Sequence, residues 1–148
     1  MNKQRIDKSE FIKLIGNWKT EGQILAKGQE AESKISGTDN YELILDDYYI
    51  LHQADVWIGE SRGKTLELIS LGDNPDQAAF SYYNNQGESG QMRGRLKDNR
   101  LTLEGDGLQF EGLLNNEGSE LTGVWRLWDG QGQWVDWMEI KLSKASPE

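Results

Sequence analysis

The chain has no cysteine, one histidine and two prolines in 148 residues. The first absence excludes disulfides and thiolate metal sites. The second leaves His52 as the sole imidazole for ligation or proton transfer. Prolines occur at Pro75 and Pro147 only, and no linker-like or low-complexity run divides the sequence, so residues 1–148 read as one domain. Long apolar runs are missing as well. The opening "MNKQRIDKSEFIKLIG" holds no unbroken apolar stretch of signal-peptide length, and no segment approaches a membrane span. Together with the absent cysteine, this predicts a soluble cytoplasmic protein. Positive charge is scarce: 16 basic against 25 acidic residues give a net charge of −9. Such a surface repels phosphate backbones and anionic lipid, so neither nucleic acid nor a membrane is expected as a partner.

Glycine, by contrast, is plentiful. Seventeen glycines punctuate short segments whose apolar residues alternate with polar ones, the signature of an all-β chain. The exception is "SEFIKLIG" (9–16), with Phe11, Ile12, Leu14 and Ile15 at helical spacing, Ser9 as N-cap and Gly16 as stop; it predicts a short helical plug before the first strand. Strands are expected at 17–25, 33–45, 48–58, 64–71, 78–84, 89–97, 100–105, 108–114, 120–128 and 133–142.

A turn of two or four residues pairs odd positions of one strand with even positions of the next, so the faces of successive strands test one another. Around Asp106-Gly107, Leu101, Leu103 and Gly105 share a face with Leu108, Phe110, Gly112 and Leu114. Around Asp46-Asp47, Ile35, Asp39, Tyr41 and Leu43 share one with Tyr48, Ile50, His52 and Ala54, which sets Tyr41 opposite His52 and Asp39 opposite Ala54. Around "DGQG" (129–132), a four-residue loop turns Trp125, Leu127, Trp134, Asp136 and Met138 inward, with Trp128 and Trp137 outward and Asp136 opposite Trp125. The same parity puts Trp18 inside. For 64–71 and 78–84 parity alone does not decide, and Phe80 and Tyr82 are taken as inward. "DVWIGESRGK" (55–64) reads as a less regular connector at the rim.

Ten short antiparallel strands in an open sheet leave two edges, and closure into an up-and-down barrel (17–142) removes them. A barrel of more than about eight strands is hard to fill with side chains, so an internal cavity is expected.

"GNW" (16–18), placed after a short helix at the start of the first strand, resembles the Gly-x-Trp element of the lipocalin and calycin superfamily. The resemblance implies an indole closing one barrel end beneath an N-terminal helical turn, covered by a basic side chain, here Lys144. Over nearly its whole length the chain is similar to a bacterial family of lipocalin-like domains of unknown function, through "GNWKTEGQI", "GTDNYE", "LTGVW" and "WVDWMEIKLSK". That resemblance implies a fold and no activity. Haem barrels of the nitrobindin type share the architecture, but their longer glycine-rich first-strand motif is absent.

Polar residues on the inward face carry the functional information. His52, with Asp39 as diagonal neighbour and Tyr41 opposite, forms a polar cluster among aromatic positions, and Asp136 adds a second carboxylate on the last hairpin. The leading expectation is non-covalent binding of a small apolar or aromatic molecule. Trp18, Tyr41, Phe110, Trp125 and Trp134 would supply shape and stacking, and Asp39, His52 and Asp136 would supply polar anchoring. An enzyme using His52, Tyr41 and Asp39 for acid–base chemistry is the alternative, but no nucleophile accompanies the trio and no catalytic residue is assigned. One histidine with scattered carboxylates is a sparse ligand set, so no metal is expected. A haem would need His52 as axial ligand and a wider apolar slot, so no cofactor is expected either. The third reading is a solidly packed interaction module whose outward Trp128 and Trp137 pair two copies into a homodimer.

Overall fold

The computed structural model describes residues 4–25 and 33–145; residues 1–3, 26–32 and 146–148, Pro147 among them, lie outside the described residues. The described residues form ten antiparallel strands: β1 (Gly16–Ile24), β2 (Lys34–Ile44), β3 (Tyr49–Ile58), β4 (Ser61–Leu71) and β5 (Gln77–Asn84), then β6 (Ser89–Lys97), β7 (Arg100–Gly105), β8 (Leu108–Leu114), β9 (Glu120–Trp128) and β10 (Trp134–Lys144). Each pairs with its neighbours in sequence, and β1 pairs with β10 to close the barrel. The expected all-β, up-and-down architecture is the one observed. No helix among the described residues is long and apolar enough to cross a membrane.

Turn chemistry sets the register. Asp98-Asn99 and Asp106-Gly107 each have two central residues with positive φ (53° and 65°, 54° and 73°), and the four-residue Leu45–Tyr48 turn holds such a pair at Asp46-Asp47 (57° and 69°) with Leu45 left-handed as well (52°). The two-residue turns have the type I′ geometry whose twist matches that of the flanking strands, and Asp, Asn and Gly reach it at least cost. Tyr41 therefore faces His52, Asp39 faces Ala54, and Leu103 faces Phe110. Tyr48, expected inside, closes the four-residue turn and is 37% exposed.

Two expectations need correction. Residues 55–64 do not form an irregular connector: β3 and β4 stay paired down to Ile58 and Ser61, with a tight turn at Gly59 (φ 60°). An Arg62–Asp55 ion pair at 2.7 Å and the Arg62 guanidinium 5.6 Å above the Trp57 ring bind that hairpin across its outer face. The plug is two 3-10 turns, Ile6–Lys8 and Glu10–Leu14, rather than one helix. Ser9 links them, donating from Oγ to the Ile6 carbonyl (2.6 Å) and accepting from the Phe11 amide (3.2 Å). Three residues per turn align Phe11 with Leu14, both fully buried, and leave Ile12 at the surface.

The plug end is solid. Ile6, Phe11, Leu14, Trp18, Ile50 and Phe80 are essentially inaccessible to solvent there. The Trp18 indole donates to the Leu14 carbonyl (2.8 Å), and the Lys144 ammonium lies 4.8 Å from the centre of its ring. The lysine cover expected from the Gly-x-Trp resemblance is in place.

Candidate functional site

Beyond the plug the barrel is hollow. A cavity of about 350 Å³ occupies the half nearer the other end. Its existence follows from side-chain size. Ile50, Ile69 and Phe80 fill the closed half, whereas the lining of the open half includes Ala54, Gly63 and Thr65. Asp39, Tyr41, His52 and Glu67 form one wall on β2, β3 and β4. Phe110, Trp125 and Trp137 line it from β8, β9 and β10, with Phe110 and Trp125 ring centres 5.0 Å apart.

His52 is gripped from both sides. Its Nε2 lies 2.6 Å from Asp39 Oδ1 and its Nδ1 2.8 Å from Glu67 Oε1. A carboxylate oxygen accepts, so with both carboxylates ionised both ring nitrogens donate and the ring is an imidazolium. Burial opposes that charge, but the hydrogen bonds to Asp39 and Glu67 and their negative charges outweigh it, and the pKa is pushed up to about 9. The Tyr41 ring stacks on the imidazole at 3.9 Å and 6°. Burial, and then the charges of Asp39 and Glu67, hold the Tyr41 phenol well above its ordinary pKa, so it keeps its proton. Asp39 is satisfied further by the Thr20 hydroxyl, which donates to Oδ2. The second carboxylate oxygen of Glu67 and the hydroxyl of Tyr41 have no protein partner among the described residues, although the two side chains belong to residues only 5% and 8% exposed. Nearer the rim, Tyr82 donates to Asp106 (2.8 Å) over Gly90, where a Cβ would fall 1.8 Å from that carboxylate. Burial and this bond push the Tyr82 phenol up to about 12.

The final hairpin departs from the sequence expectation. Its loop holds five residues, 129–133, between the Trp128–Trp134 pair, closed by the Asp129 amide on the Gln133 carbonyl (3.0 Å). Gly130 (φ 79°) and Gly132 (φ 98°) supply the conformations it needs. An odd loop reverses parity, so Trp134 joins Trp128 outside, ring centres 5.3 Å apart, and Asp136 meets the Arg126 guanidinium (3.0 Å) on the outer face. A β-bulge between Asp136 and Met138 then restores it, setting Met138, not Asp136, opposite Trp125. Met138, Ile140 and Leu142 point in as expected, and Trp137, expected outside, lines the cavity.

Of the residues anticipated for the site, Asp39, Tyr41, His52, Phe110 and Trp125 come together around the cavity. Trp18 is buried near the closed end and does not line it, and Trp134 and Asp136 are outside. Glu67 and Trp137 join the set. Reading Glu67 from the sequence required recognising a tight turn at Gly59, which would have put it opposite His52. No group of three or more His, Asp or Glu side chains among the described residues is arranged to hold a metal ion. A wider open depression lies on the outer face, where Arg95 pairs with Asp76, and Arg126 with Glu111 and Asp136.

Among the solved structures that share this fold are two that span almost the whole chain. Rv2717c from M. tuberculosis superposes with a TM-score of 0.74 at 8% identity, covering 98% of this chain and 100% of that one. The S-type phycobiliprotein lyase CPES from Guillardia theta gives 0.67 at 8% identity, covering 99% and 96%. At that identity the likeness concerns architecture alone. No curated protein matches the sequence significantly. A family model matches residues 7–144, and by that match the chain belongs to DUF1579, a family of proteins of unknown function.

Proposed function

We propose that this protein binds a small, largely apolar or aromatic molecule non-covalently inside the barrel. The observation that carries the reading is the 350 Å³ cavity, walled by Phe110, Trp125 and Trp137 and holding the Asp39–His52–Glu67 cluster. Small-molecule sites have this composition, apolar walls with a few convergent polar groups, at volumes of roughly 300–1,000 Å³. An apolar ligand enclosed by such walls would bind in the micromolar range, roughly −8 kcal/mol.

Acid–base catalysis fits less well. A general base needs a free lone pair, and both nitrogens of His52 are committed to carboxylates. The packed-module reading conflicts with the cavity itself. With Trp137 turned inward, the homodimer reading rests on the outward Trp128–Trp134 pair, and sedimentation of the wild type against Trp128→Lys tests it independently of binding.

Native mass spectrometry of protein purified from its own host tests the proposal directly. A retained small molecule, lost in the cavity-filling variant Ala54→Phe, is the expected result. No retained molecule, together with no calorimetric binding of naphthylmethylamine, methylnaphthalene or naphthoate, would overturn it.

A further inference from the structure

The chemistry left over at the polar wall specifies the ligand further; the inference rests on the binding reading above. Every hydrogen-bond donor of the Thr20–Asp39–His52–Glu67 chain is already spent inside it: Thr20 on Asp39, and the two ring nitrogens on Asp39 and Glu67. What remains for a ligand at this wall is the second oxygen of Glu67, a pure acceptor, and the Tyr41 hydroxyl, which keeps its proton and can accept from a ligand as well as donate to one. Charge points the same way. Two carboxylates and one imidazolium sum to a formal −1, and no Lys or Arg among the described residues lines the cavity. An uncompensated charge in an apolar enclosure is costly, so a positive guest is favoured over a neutral one and an anion is disfavoured. The electron-rich faces of Trp125 and Trp137 add attraction for a cation.

We propose that the ligand is an amine or amidine whose cationic, hydrogen-bond-donating head docks against Glu67 and Tyr41 and whose apolar body packs along Trp125 and Trp137. Calorimetry at neutral pH with three probes of one shape tests it: naphthylmethylamine (cation), methylnaphthalene (neutral) and naphthoate (anion). The amine binds tighter than methylnaphthalene by roughly tenfold or more, and naphthoate binds weakest. In Glu67→Gln the amine loses most of that advantage while methylnaphthalene binds as before, which also shows that the variant is folded. Methylnaphthalene or naphthoate matching the amine on the unaltered protein overturns the cationic head but leaves the binding reading standing. Failure of all three probes removes both. Because the wild-type series decides alone, the outcome holds even where Glu67→Gln does not fold, and Tyr41→Phe, with a smaller loss for the amine only, provides the second variant.

Discussion

His52 is the chain's only histidine, so its ring signals in a carbon–proton NMR spectrum need no assignment. Its pKa rises from an ordinary 6.5 to about 9 on folding. A group raised in this way contributes its full stabilisation well below the unfolded value and loses it as pH climbs through the folded value. The displacement corresponds to on the order of 3 kcal/mol of stability in mildly acidic solution. Roughly 2 kcal/mol of that vanishes between about pH 7 and pH 9. Tyr41 and Tyr82 are pushed upward, the latter to about 12, so neither phenol ionises in this window. Urea denaturation at stepped pH should show the wild type losing its margin over His52→Gln across that interval, while the variant, lacking the ionisable ring, stays comparatively flat. The NMR titration should place the midpoint near 9. A midpoint at or below 6.5, or parallel stability curves for wild type and variant, would refute the doubly bonded imidazolium and with it the charge assigned to the cavity wall.

The bulge in β10 makes Trp137 and Trp134 opposites: Trp137→Ala should weaken naphthylmethylamine binding at least severalfold by calorimetry, whereas Trp134→Ala leaves it unchanged and costs about 1 kcal/mol through the lost contact with Trp128. Gly94→Ala would place a Cβ 2.3 Å from the Phe80 ring and 2.7 Å from a Leu103 methyl, and thermal or urea unfolding should register a loss of about 1–3 kcal/mol. Trp18→Phe removes the indole donor from the buried Leu14 carbonyl, and the same assay should show a cost of about 1–3 kcal/mol with probe binding retained, because Trp18 does not line the cavity.

How much of this was legible in the sequence follows from the turns. Where a turn of two or four residues carries Asp or Asn followed by Asp, Asn or Gly, the residues themselves announce the left-handed pair, and the register of β2–β3, β6–β7 and β7–β8 reads off correctly. That is why Tyr41, His52 and Asp39 were recognisable as neighbours. Glu67 was not, because its strand enters through "IGES", which carries no such signature, and without that turn the face of β4 is ambiguous. The last hairpin misled for a different reason. "DGQGQ" accommodates a loop of four or five residues, and a bulge leaves no mark in the alternation of polar and apolar residues, so two local irregularities exchanged Trp134 for Trp137 and carried Asp136 outside. The inward run Met138, Ile140 and Leu142 survives because the bulge undoes the parity change of the loop.

The hydrogen-bonded chain Thr20–Asp39–His52–Glu67 crosses four consecutive strands, β1 to β4, at one level of the barrel. This is the wall in which small residues, Ala54, Gly63 and Thr65 among them, leave the interior under-filled. In the closed half, Ile50, Ile69 and Phe80 hold neighbouring strands together by packing. In the hollow half that adhesion is missing, and directional side-chain bonds bridge the same strands in its place. A polar network of this kind stabilises only while every member is satisfied. Removing one partner exposes the rest to an apolar surround, so the residues that would recognise a ligand also brace the wall around it. Separating the two roles requires a substitution that leaves the network bonded: Glu67→Gln keeps an acceptor facing His52 while replacing the unpartnered carboxylate oxygen that faces the cavity, and the negative charge it removes lowers the His52 pKa without breaking the bond.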